Sequence, residues 1–209
     1  QLTREGIGEL LRFEDWRSWW SIAFNWGVVF ASMALVAWWP HGPTLALPIV
    51  VALFLVGARQ LGLAVLMHEA SHRSLFADRR VNDWVGQKLC AYPIWSDLTA
   101  YRPYHLQHHA HTATPRDPDL GLTAPFPITR ASLRRKVWRD PAGQAGRKFA
   151  VAAWKRSIAR WRSGDARGRR AFVGFAVTNA ALLAILAAAG HPWLYLLWAG
   201  AWLTTNTLV

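Results

Sequence analysis

Four stretches of this chain are apolar for so long that they can only be helices crossing a bilayer or lying in a very large core. They are residues 19–39 (WWSIAFNWGVVFASMALVAWW), 44–67 (TLALPIVVALFLVGARQLGLAVLM), 171–190 (AFVGFAVTNAALLAILAAAG) and 193–209 (WLYLLWAGAWLTTNTLV). A bilayer core about 30 Å thick takes roughly 20 helical residues to cross. The second stretch, at about 1.5 Å per residue, measures on the order of 35 Å. Tryptophan pairs close both ends of the first, as in an aromatic belt at the two membrane interfaces. A soluble protein of 209 residues has too little polar surface to cover four such runs. The expected fold is all-α. It is a single polytopic membrane domain over residues 1–209, with four transmembrane helices arranged as two hairpins.

Charge orients this arrangement. Lysine and arginine number 24, and all except Arg4, Arg12, Arg17 and Arg59 lie between residues 68 and 170. The connectors 40–43 and 191–192 carry none. The positive-inside rule therefore places residues 1–18 and a helical cap, residues 68–170, in the cytoplasm. The net charge of +12 belongs to that cap and suits anionic lipid. No nucleic-acid motif accompanies it, so no nucleic-acid partner is expected. Residues 148–162 place Val151, Trp154, Ile158 and Trp161 on one face, with basic residues opposite, as in a membrane-surface helix. Residues 81–98, too short and polar to span, are expected to lie along the interface. Arg59 is expected to snorkel. His41 and His191 are read as interfacial side chains. The single cysteine, Cys90, excludes an intrachain disulfide. The N-terminal residues show no signal peptide, and the absence of an initial Met reads as a processed or partial chain.

The chemistry lies in the histidines. HEASH (68–72) matches H-E-x-x-H, the zinc-protease helix. On a helix, His68 and His72 stand about 40° apart and share a face. In HLQHH (105–109), the same geometry puts His105, His108 and His109 within a face about 100° wide and turns His111 away. A zinc hydrolase needs three protein ligands and one open position. Five imidazoles in two clusters overfill that site and suit two metal ions, iron among the candidates. Two irons can activate dioxygen, which attack on an unactivated C–H bond requires.

These two histidine boxes, together with YRPYHLQHHAHT, DPDL (117–120) and the hairpin layout, resemble the membrane fatty acid desaturase family across nearly the whole chain. The resemblance implies a non-haem di-iron centre, O2 as co-substrate, a membrane lipid acyl chain as substrate, and a separate electron donor, ferredoxin-like or cytochrome-type. It implies desaturation, with hydroxylation or ketolation of carotenoid, alkane or sphingolipid as the alternative. A zinc intramembrane protease is the further rival. By the same resemblance His68, His72, His105, His108 and His109 are iron ligands. Glu69 and Asp119 are candidates to orient ligand histidines from behind, and Asn206 is a candidate to return toward the site. The family carries a third box after its fourth span. This chain has only His191 beyond His111, so the expectation is a sequence lacking its C-terminal part and inactive as it stands.

Overall fold

The structure, a computed structural model, describes residues 13–205. No strand occurs among them. The helices in chain order are α1 (Asp15–Trp38), α2 (Ala46–Ser71), α3 (Arg79–Val85), α4 (Leu98–His111), α5 (Leu120–Thr123), α6 (Arg130–Arg139), α7 (Gln144–Arg162), α8 (Ala166–Ala188) and α9 (Tyr195–Leu203). Among the described residues, three helical runs are long and apolar enough to cross a membrane: Asp15–Trp38, Pro43–Ser71 and Ala166–Ala188. They match the first three expected spans. The described part of the fourth, 193–209, is a 3₁₀ turn (Pro192–Leu194) leading into the short α9. Its last four residues, Asn206 included, lie outside the described residues.

Each long helix begins where its sequence allows. Asp15 sits in the first turn of α1, where a carboxylate complements the helix dipole. It also accepts from the Ala77 N–H at 2.9 Å. Ser18, one turn on, donates to the Leu75 carbonyl. The start of α1 is thereby tied to the loop that follows the first histidine box. Pro48 falls in the first turn of α2, where its missing N–H costs no helical bond. Asp97 caps α4 by accepting from the Thr99 N–H at 3.0 Å.

The core lies between α1, α2, α8, α9, Leu75, Phe76 and residues 85–98. Val56 and Leu63 of α2 are fully buried, while Phe54, Leu55 and Val65 on its other face are exposed. In lipid, apolar burial does not itself drive helices together, so close packing and interhelical hydrogen bonds must do so. Trp26 of α1 stacks on Trp198 of α9, with centroids 5.5 Å apart and planes at 12°. Gln60 Nε2 donates to the Trp198 carbonyl at 2.8 Å. Arg59 lies over the Phe24 ring at 5.4 Å.

Residues 81–98 are not one continuous helix, and they pack one side against the core while Val81, Trp84 and Lys88 stay exposed. α3 leads into a π-helical turn (Gly86–Ala91) and a 3₁₀ turn (Tyr92–Ile94). Cys90 and Ala91 have no exposed area and Leu98 almost none. The reason is side-chain size. A Cβ on Gly86 would run into Ala70 of α2 and Leu98, so glycine lets this backbone press against the histidine-bearing helix. The amphipathic stretch 148–162 is helical within α7. It leaves Val151, Trp154 and Trp161 substantially exposed, and Trp154 and Trp161 also meet Phe172 of α8.

Candidate metal centre

Two helices supply the site. The last turn of α2 carries His68, and His72 is the residue that caps it. The chain then leaves the helix through Arg73, whose φ of 60° ends the α conformation. α4 carries the second box. The two helices are fastened by Arg102, whose Nε donates to the Ser71 carbonyl at 3.0 Å and whose Nη2 donates to the Ala70 carbonyl at 2.9 Å. These are carbonyls at the C-terminal end of α2, beyond the last full i to i+4 bonds, where only the Arg73 N–H turns back to Ala70 at 3.1 Å. Arg102 is held in turn by the Asp83 carboxylate. Asn82 adds a 2.9 Å bond to the Ala70 carbonyl and accepts from the Leu75 and Phe76 N–H groups.

This clamp brings four imidazoles together. Ring nitrogens of His68, His72, His105 and His109 lie within 4.8 Å of one another. His72 Nε2 stands 3.2 Å from His68 Nε2 and 2.9 Å from His105 Nε2, and His109 Nε2 is 3.0 Å from His105 Nε2. Ordinary hydrogen bonding does not account for this. An imidazole nitrogen offers one N–H or one lone pair, yet His72 Nε2 and His105 Nε2 each face two other nitrogens. Lone pairs converging on one small volume are the arrangement a transition-metal ion satisfies.

The outer nitrogens have separate partners. His105 Nδ1 meets the Tyr101 hydroxyl at 3.2 Å, with the two rings stacked. A partner on Nδ1 fixes ring orientation and leaves Nε2 for a metal. His68 Nδ1 is 3.5 Å from Glu69 Oε1, at the edge of hydrogen-bond range. Burial, and then the neighbouring imidazoles, push the His105 pKa down to about 4. Burial, followed by the charges of His109 and His68, lowers that of His72. Both rings are therefore neutral near pH 7, the state in which imidazole binds metal.

His108 is oriented differently. Its Nδ1 bonds Asp117 Oδ1 at 2.8 Å and stands 3.6 Å from Asp119 Oδ2. The three residues form a second group able to hold an ion. The hydrogen bond to Asp117 raises the His108 pKa and holds the Asp117 carboxyl down to about 2. Asp117 also accepts from the Ala113 and Asp119 N–H groups. Asp119 instead accepts from the Tyr104 hydroxyl, a bond that pushes that phenol up to about 12. Asp117 is thus the carboxylate closest to a box histidine. In the sequence Asp117 stands out only as part of DPDL (117–120), with no role of its own. Tyr101 and Arg102 were likewise missed, although each lies within four residues of His105 in YRPYH. His111 stands outside both groups.

An all-helical chain, with three helices fit to cross a membrane and an imidazole cluster at the end of one of them, defines a class: a membrane protein with a histidine cluster able to hold a metal ion. Comparison with known proteins makes the class specific. The family model for fatty acid desaturase matches residues 43–209, and the chain belongs to that family. It is 34% identical over 104 residues to the dihydrorhizobitoxine desaturase of Bradyrhizobium elkanii, covering 47% of this chain and 27% of that protein. It is 38% identical over 61 residues to the zeaxanthin 4-ketolase of Chlamydomonas reinhardtii, covering 28% of this chain and 14% of that one. The chain therefore matches only a minor part of either relative's length. No solved structure matches it.

Proposed function

We propose that this chain is the histidine-bearing part of an O2-dependent di-iron oxidase that desaturates an acyl chain in the membrane. Membership of the desaturase family supports an oxidoreductase acting on lipid. The observation that carries the metal-centre reading is the convergence of the four Nε2-bearing rings of His68, His72, His105 and His109. Imidazole-rich donor sets fit iron among the transition metals. These four residues would hold one ion. His108, whose ring centroid is 5.6 Å from that of His109, is the fifth imidazole and would serve the second. When bound, the irons supply the activation of O2 that removes hydrogen from a methylene.

The chain's own residues contribute position and protonation state. Arg102 sets the distance between the two boxes. Tyr101 and Asp117 hold the outer nitrogens of His105 and His108. The depressed pKa of His105 keeps a ligand site free of protons. In this reading a fourth span completes two hairpins, and the cap 68–170 faces the cytoplasm. There the basic surface of α6 and α7 receives an acidic electron-donor protein, since complementary charge speeds encounter.

The second reading, hydroxylation or ketolation, is favoured by one observation, the similarity to a zeaxanthin 4-ketolase. A zinc protease is not supported by the position of Glu69. Its carboxylate lies at the outer Nδ1 of His68 and accepts from Ser74 Oγ at 2.9 Å, away from the converging Nε2 atoms where a hydrolytic water would sit.

The test is metal analysis of the full-length protein purified in detergent, followed by assay with and without O2. About two irons per chain and strictly O2-dependent loss of substrate hydrogen support the proposal. One zinc, or turnover in the absence of O2, overturns it.

A further inference from the structure

α6 stands almost uncovered. None of its ten residues is buried, and all except Ser132 are exposed. A helix shorter than about 12–15 residues is marginal in water on its own, so burial against another surface is what would stabilise it. The charge around it has one sign. Residues 120–164 hold eleven lysines and arginines and one carboxylate, Asp140. Asp140 is buried, with Lys136 Nζ at 2.8 Å and Arg139 Nε at 3.0 Å. Among the described residues, neither Arg130 nor Arg134 lies within ion-pair distance of a carboxylate.

The side chains of α6 are sorted around its axis. With Leu133 as zero and about 100° per residue, Val137 falls at about 40°, Arg130 at about 60°, Arg134 at about 100° and Trp138 at about 140°. One side thus interleaves three exposed apolar side chains with two unpaired guanidiniums. Trp138 is the most open of them, at 78%. On the other side, Arg139 falls at about 240°, Ser132 at about 260° and Lys136 at about 300°. The place of α6 in the fold is a membrane boundary. Lys136, Arg139 and Asp140 border one cavity with Phe149 of α7 and Trp202 in the last turn of α9. Trp202 Nε1 donates to the Ile94 carbonyl at 3.2 Å, and the next residue, Trp95, meets the Phe175 ring of α8 at 5.6 Å. The end of α9 therefore lies level with the first three turns of α8, a helix fit to cross a membrane.

We propose that α6 is an anchor for anionic lipid. Leu133, Val137 and Trp138 enter the leaflet, and Arg130 and Arg134 meet the phosphate groups beside them. Tryptophan and arginine together at the boundary of a membrane bundle fit a lipid surface, where one end of each side chain is apolar and the other polar. Arg135, at about 200° on the same wheel, stays on the water side with Lys136 and Arg139. That leaves a basic face open to a soluble partner. The anchor rests on the membrane bundle alone and not on the metal chemistry, which metal analysis tests separately.

The experiment places the whole chain, one copy per disc, in lipid nanodiscs of phosphatidylcholine alone or of an equal mixture with phosphatidylglycerol. Amide hydrogen exchange of residues 130–139 is the first readout. Exchange should be at least about tenfold slower in the mixed discs, and added salt should shrink that difference. Arg134→Gln should reduce it about fivefold, and Arg135→Gln should reduce it less. Both positions are exposed, so neither substitution disturbs the core. The second readout is quenching by acrylamide of a fluorophore attached at Val137→Cys or at Arg135→Cys. The native Cys90 is buried and stays unlabelled. In mixed discs the label at 137 should be shielded and the label at 135 open. Equal exchange in the two kinds of disc, equal losses from Arg134→Gln and Arg135→Gln, or equal quenching of the two labels overturns the proposal. So does protection that arises only when a second copy shares the disc or an acidic protein is added, since either would be the true cover of α6.

Discussion

His72 Nε2 and His105 Nε2 stand 2.9 Å apart although 33 residues separate them in the chain. Neither nitrogen can be satisfied by the other alone, because each also faces a third imidazole. The contact is the closest approach between the two histidine boxes, and it makes them a single site. His105 is also the buried member of the set, with 7% of its surface exposed. Replacing it removes the ring that touches both His72 and His109. His105→Ala is expected to bring bound metal to background, measured by elemental analysis, with far-ultraviolet circular dichroism unchanged. Full metal retention in that variant refutes the assignment.

Arg102 carries the geometry between the boxes. Arg102→Ala leaves the Ser71 carbonyl without this donor, takes one from the Ala70 carbonyl and deprives Asp83 of its cation. The expected loss is about 3 kcal/mol, read from denaturant unfolding in detergent. Arg102→Lys should recover part of it, because an ammonium reaches one of these acceptors but cannot fork to all.

The pair of His108 and Asp117 predicts a pH signature in metal-free protein. The folded His108 pKa is raised, so its contribution is fully present below about 6.5, the ordinary imidazole value, and fades as pH rises through the raised value. The folded Asp117 pKa is depressed, so its contribution is present above about 3.9 and fades as pH falls toward about 2. The Asp117→Asn variant should therefore lose most midpoint temperature between about pH 4 and 6.5. The deficit should shrink at pH 9, where His108 is neutral and only uncharged-donor hydrogen bonds to Asp117 remain to be lost. An equal deficit at pH 5.5 and pH 9 contradicts the ion pair. With metal present, the same variant should bind about 10–100-fold more weakly.

Gly146 tests how α7 docks. A Cβ there would run into the Leu203 carbonyl of α9, a backbone group that cannot rotate away. Gly146→Ala should cost about 1–3 kcal/mol and increase protease cleavage in the α6–α7 region.

What the sequence determined alone are the features set by local geometry. Apolar run length marks the long helices, because bilayer thickness and helical rise are constants. The spacings of HEASH and HLQHH place their histidines on shared helix faces, because 3.6 residues make a turn. Glu69 and Asp119 both sit beside box histidines, at 3.5 Å from His68 and 3.6 Å from His108. The tertiary structure alone decided which groups meet. It chose Asp117 over Asp119 as the closest partner of His108, joined His109 to His68 and His72, and set Arg102 against the end of α2. It also packed one side of residues 81–98 against α2, because Gly86 leaves room for the backbone to press on Ala70. Such pairings depend on which faces of distant segments can approach, and no local period encodes that.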